Sequence, residues 1–80
     1  MTEREVYEFY NDKVKVAYSE IEARDNNLPV ELLFEIHSAL DHLKRFHLDE
    51  ETEEESAEKA YSHLKRCVLD AYKLKLKYYL

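Results

Sequence analysis

Val6, Tyr10, Val14, Ala17 and Ile21 recur every three or four residues, with Phe9 and Tyr18 widening the stripe and charged residues between them. A helix of 3.6 residues per turn gathers such positions on one face. In front of the stripe, Thr2-Glu3-Arg4-Glu5 has the spacing of a capping box, in which a Thr hydroxyl and a Glu carboxylate satisfy exposed backbone N–H groups. The pattern predicts a first helix over 2–24. Asp25-Asn26-Asn27 is a turn cluster, and Pro29 suits the first position of a second helix, where its missing N–H costs nothing. Leu33, Ile36, Leu40, Leu43 and Phe46 or His47 then alternate at three and four, a helix-packing seam that predicts a helix over 29–48. Thr52-Glu53-Glu54-Glu55 offers a second capping box with acids at the positive end of the next dipole. The stripe that follows, Ala57, Ala60, Tyr61, Leu64, Cys67 or Val68, Ala71 and Tyr72, is small near its start and admits a close neighbour. It predicts a third helix over 53–79.

The last residues, from Tyr72 to Leu80, alternate apolar and basic, which is the period of a strand. A continuing helix is expected instead, because so short a segment without a partner strand cannot make a sheet. The fold expected is all-α: a three-helix bundle in one domain, 1–80, with the second and third helices as an antiparallel hairpin and the first packed across them. No Gly, Asn or Pro stops the third helix. This leads to the expectation that the chain is the amino-terminal piece of a longer protein, or that its end packs on something else.

Composition narrows the function. With no glycine and one proline, the chain has no material for phosphate-cradling loops or nucleophile elbows. A hydrophobic fraction of 45% with seven tyrosines is too rich for a disordered segment despite a net charge of -6. Apolar runs are only a few residues long, far short of the ~20 needed to span a bilayer, so no membrane partner is expected. A single cysteine, Cys67, and no leader of secretory type set the expectation of a reducing, cytoplasmic setting. Bulk acidity disfavours nucleic acid as a partner, since phosphate contacts need a basic face. The acidic run from Asp49 to Glu58 reads as a solvated linker and helix start, and Lys73, Lys75 and Lys77 as a helix end matched to its dipole.

One echo stands out. Ala39-Leu40-Asp41-His42-Leu43-Lys44-Arg45-Phe46-His47-Leu48-Asp49 returns 21 residues later as Ala60-Tyr61-Ser62-His63-Leu64-Lys65-Arg66-Cys67-Val68-Leu69-Asp70, with seven of eleven positions identical. Two readings stand. In one, His42, Arg45, His63 and Arg66 line a groove between the helices that suits an anion, a phosphate or an acidic helix. In the other, Arg45 with Asp49 and Arg66 with Asp70 are ordinary intrahelical ion pairs and the histidines are boundary residues. Metal is not expected, because His37, His42 and His47 are each about 140° apart around the helix. No cofactor is expected either. Cys67 falls on a buried face, where a thiol is an inert small hydrophobe. Three thin helices cannot bury every tyrosine, so Tyr7, Tyr10, Tyr72, Tyr78 and Tyr79 are the candidate interface residues.

The run Glu35-Ile36-His37-Ser38-Ala39-Leu40-Asp41-His42-Leu43-Lys44-Arg45, followed by His63-Leu64-Lys65-Arg66, resembles the paired central helices of HEPN-type all-α domains, which are widespread in prokaryotic toxin, nucleotidyltransferase-partner and phage-defence systems. The likeness covers at most residues 31–76. That family's ribonuclease signature, an Arg followed after four to six residues by a His, is missing: no His follows Arg66, and Arg45 is too close to His47. The resemblance therefore implies a member that acts through interaction and lacks catalysis. The function expected is a non-enzymatic helical module for protein–protein interaction or oligomerisation, of a prokaryotic regulatory or defence protein. The alternative is an HEPN-like enzyme or accessory subunit, working on nucleic acid or nucleotide through the His/Arg groove.

Overall fold

Thr2 starts the first helix as its spacing predicts: its Oγ1 accepts from the Glu5 N–H at 3.2 Å, and its own N–H donates to Glu5 Oε1 at 2.9 Å. The computed structural model describes residues 1–79, with side chains through residue 77. Its elements are α1 (Glu3–Phe9), a π-helical turn (Tyr10–Val14), α2 (Lys15–Asp25), α3 (Val30–His47) and α4 (Glu53–Tyr79), with no strand among the described residues. The all-α expectation holds. The alternating tail is helical as far as Tyr79, and Pro29 caps α3 one position before its first residue.

α1, the π turn and α2 form one continuous rod, and the π turn is what the periodicity did not foresee. The Lys15 N–H reaches back five residues to the Tyr10 carbonyl instead of four. On an unbroken α-helix Val6 and Val14, eight residues apart, would point about 80° away from one another. Absorbing one residue in a π turn reduces this to about 20°, the same offset that separates Val14 from Ile21. All three side chains are fully buried.

α4 is the spine of the molecule. α3 packs along one side of it, and the first rod packs along another, with Glu3 beside Glu53, the Phe9 ring edge-on to Tyr61 at 4.8 Å, and Glu20 paired with Lys75. The first rod packs chiefly on α4, and it also meets the end of α3, where His47 Nε2 lies 2.8 Å from Glu3 Oε1. The small residues Ala57, Ala60, Cys67 and Ala71 are all buried on α4, in one core with Val6, Val14 and Ile21 of the rod and Leu32, Ala39 and Leu43 of α3. The α3 seam is rotated from its expected position. Leu32, not Leu33, is buried, and Leu33 and Leu40 are about half exposed. The molecule measures 44 × 19 × 17 Å.

Without glycine, the turns use Asn26 and Asp49 in the left-handed region, at φ 55° and 61°. After α3 the Glu50 N–H donates to the Arg45 carbonyl at 2.8 Å, and the Asp49 N–H donates to the Phe46 carbonyl at 3.1 Å. This is the helix-ending motif that normally carries glycine. Asp49 is thereby taken off the helix, so it does not form the intrahelical pair with Arg45 that the echo suggested.

Cys67 is fully buried and its thiol faces the Leu32 carbonyl at 3.9 Å. Burial pushes it up to about 11, with Asp70 and Glu35 adding to the shift. At pH 8 its thiolate is therefore scarce. Iodoacetamide is expected to label the native protein about a hundredfold or more slowly than the urea-unfolded chain, as read by mass spectrometry.

Candidate functional site

The turn after α3 delivers Glu51 into the α3–α4 interface, where its side chain is only 9% exposed. Arg45 Nη1 donates to Glu51 Oε1 at 3.2 Å, Lys59 Nζ stands 3.4 Å from Glu51 Oε2, and His42 Nδ1 stands 3.5 Å from Glu51 Oε1. Asp41 completes the cluster by taking Arg45 Nη2 at 2.9 Å. Next to it, the His42 and His63 rings stack with centroids 5.4 Å apart and planes 18° from parallel. His63 Nδ1 meets Glu35 Oε1 at 2.9 Å.

The echo residues are thus partly gathered. His42 and His63 touch, and Arg45 reaches their vicinity through Glu51. Arg66 is exposed and makes no ion pair among the described residues, with Asp70 or any other acid. What sequence reasoning missed was the role of the acids: Glu35 hydrogen-bonds His63, Glu51 lies 3.5 Å from His42, and the pair Arg45 makes is with Asp41 and Glu51. Glu51 was hidden in a run of carboxylates that reads as solvent-facing, and only the tight turn after α3 singles it out. Five charged side chains, Glu35, Asp41, Glu51, Arg45 and Lys59, surround the two rings, yet His42 Nδ1 and Glu51 Oε2 are buried without a hydrogen bond among the described residues. Among the described residues, no group of three or more His, Cys, Asp or Glu is placed to hold a metal ion.

Burial opposes the charge on Glu51, but Arg45, Lys59 and His42 more than offset it and hold the carboxyl below its ordinary value of 4.5. Asp41 is lowered in the same way: burial opposes its charge, and Lys44 and Arg45 outweigh that cost. A carboxylate depressed by folding contributes stability that is complete above its unfolded value and is lost as pH falls through the folded value. The melting temperature is therefore expected to drop as pH falls below 4.5, and to drop less steeply in Glu51→Gln, by circular dichroism between pH 7 and pH 3.

The second candidate is apolar. Between the first rod and α3, above Leu64 of α4, lies a groove of about 230 Å³. Val6, Tyr7 and Tyr10 form one wall, and Ile36, Leu40 and Leu43 belong to the other. Two of the predicted interface tyrosines are here: Tyr7 is 47% exposed, and Tyr10 is half-buried with its hydroxyl 3.2 Å from that of Tyr18. Tyr72 is exposed on α4, away from this groove, with Lys75 Nζ 5.9 Å from its ring centre. The side chains of Tyr78 and Tyr79 lie outside the described residues. No helix of the described residues is long and apolar enough to cross a membrane.

No protein-family model, curated protein or solved structure matches the chain.

Proposed function

We propose that this chain is a non-enzymatic helical module that binds another protein, on a frame in which α3 and α4 form an antiparallel hairpin. Leu32 by Cys67, His42 by His63 and Glu51 by Lys59 support the hairpin, since the numbers rise along one helix as they fall along the other. The observation that carries the functional reading is the apolar groove with its half-exposed rim, Tyr7 and Leu40, beside an α3 face that keeps Leu33 and Phe34 in solvent. Contiguous apolar surface of this kind on a small domain marks an interaction site. The reading is tested by retention of a cellular partner on the immobilised protein. Tyr7→Glu and Leu40→Glu are expected to lose that partner while Arg66→Ala keeps it. Retention unaffected by both groove variants would sink the reading.

The stacked His42 and His63 favour one rival, an HEPN-like module or accessory subunit for nucleic acid or nucleotide that also uses Arg45 and Arg66. Glu35 and Glu51 on the same rings work against a polyanion. That rival requires RNA or nucleotide binding that His42→Ala and His63→Ala both abolish. The cytoplasmic, prokaryotic regulatory or defence setting is part of the proposal and is supported by the HEPN-like texture of α3 and α4.

A further inference from the structure

α3 carries two apolar stripes. Leu32, Ile36, Ala39 and Leu43 pack inward. Val30, Leu33, His37, Leu40 and Lys44 recur at alternating three and four residues on the adjoining face, and every one of them is exposed, with Phe34 at their flank at 66% exposure. Alternating spacing of this kind is the seam by which one helix packs against another. A helix apolar around so much of its circumference belongs between two neighbours. Here it has α4 on one side and the open groove and solvent on the other.

We propose that the second neighbour is α3 of another copy of this chain, antiparallel to the first, across a twofold axis near His37. This rests on the interaction-module reading and names its partner. A twofold there sets Leu33 of each copy beside Leu40 of the other, their levels differing by about one residue, or about 1.5 Å along the axis. The Leu33–Leu40 contact forms twice, and Val30 meets the aliphatic stem of Lys44.

Two further features fit a second copy in this orientation. Antiparallel pairing opposes the two helix dipoles and brings Glu31, in the first turn of α3, toward the end that carries Lys44, Arg45 and His47, which are also paired with acids of their own chain. Area fits as well. Val30, Leu33, Phe34 and Leu40, each about half exposed or more, present on the order of 400 Å² by the usual size of such side chains. A stable interface buries about 800 Å² per partner. The proposed interface therefore extends to the Tyr7 rim and the polar flank of His37, Asp41 and Lys44 beside it, of which Asp41 is partly exposed and the others exposed. His37 at the centre is a polar residue in an apolar seam, which fixes register at some cost in strength.

Sedimentation equilibrium of the full chain over roughly 1 to 100 µM tests the proposal. A dimer is expected, and Leu33→Glu and Leu40→Glu, each at a side chain already in solvent, should be folded monomers by circular dichroism. Leu69→Glu, on the exposed face of α4, should remain dimeric. Cysteine cross-linking tests the orientation, with Cys67 too buried to interfere. His37→Cys should form a disulfide-linked dimer on mild oxidation and Val30→Cys should not, since only a parallel pairing brings two copies of residue 30 together. A monomeric wild type, a dimer that survives both glutamates, or a cross-linked Val30→Cys each overturns the proposal. A monomer that still retains a cellular partner through Leu40 would overturn it and leave the interaction-module reading standing.

Discussion

Deleting Ser19 is expected to unfold much of the first rod, whereas deleting Asn11, in the same rod, should leave the protein folded. Removing a residue from an α-helix rotates everything beyond it by about 100°. Loss of Ser19 therefore turns Ile21 out of the core relative to Val6 and Val14, and exposing a fully buried isoleucine costs about 2 to 5 kcal/mol. That is a large part of the stability of an 80-residue domain. Asn11 is exposed and lies within the π turn, which already holds one residue more than the α-helix needs. Its deletion converts the turn to ordinary α-helix and keeps Val6, Val14 and Ile21 in line. Thermal melts of the two deletions should differ by about 8 °C or more, on the basis of about 4 to 8 °C per kcal/mol for a domain of this size. Equal destabilisation would mean that the π turn does not set the alignment of the stripe.

The adjacent pair Leu32 and Leu33 gives the second large contrast. Leu32 is fully buried against α4, with its carbonyl facing the Cys67 thiol, so Leu32→Ala is expected to cost about 2 to 5 kcal/mol in urea unfolding. Leu33→Ala, at a side chain 48% exposed, should change the stability of the monomer by about 0.5 kcal/mol or less. The comparison is made at low concentration, where self-association is absent. A reversed order would place the other stripe of α3 against α4.

This pair also shows where the sequence was legible and where it was not. Helices, their starts at Thr2 and Thr52, and the turn at Asn26 could be read because each rests on local chemistry: a hydroxyl three residues before a glutamate, or a residue that tolerates positive φ. The buried stripe of α4 could be read too, since its apolar positions are narrow and small. α3 is apolar over too wide an arc for periodicity to choose a face, and the Leu33–Leu40 stripe obeys the helical spacing as well as the Leu32–Ala39 stripe does. Only the partner helix decides between them. The π turn left a trace in the even four-residue steps from Val6 to Tyr10 to Val14, which an α-helix cannot keep on one face for long.

At the candidate site the two histidines of the echo, His42 and His63, stack on one another, but the spacing mistook Arg45's partners. The spacing of Arg45 and Asp49 assumes that the helix continues, and the left-handed turn at Asp49 ends it first. Glu51 could not be distinguished from its acidic neighbours without knowing which way the chain turns after α3. Arg66 repeats the local spacing of Arg45 but has no counterpart to Glu51 beyond it, so the echo in sequence is not an echo in environment.

A spine with two dependants also orders the molecule's fluctuations. α3 and α4 are joined by a short turn and bury a common strip, whereas the first rod is held to α4 by contacts some fifty residues distant in sequence, such as Glu3 with Glu53. Its departure would expose α4 on one side and leave the α3–α4 interface intact. Native-state hydrogen exchange is accordingly expected to show two levels, with the amides of α1, the π turn and α2 opening at lower free energy than those at the centre of α3 and α4. The chain then behaves as a core pair with a detachable arm, and the wall that Tyr7 contributes to the groove comes and goes with that arm.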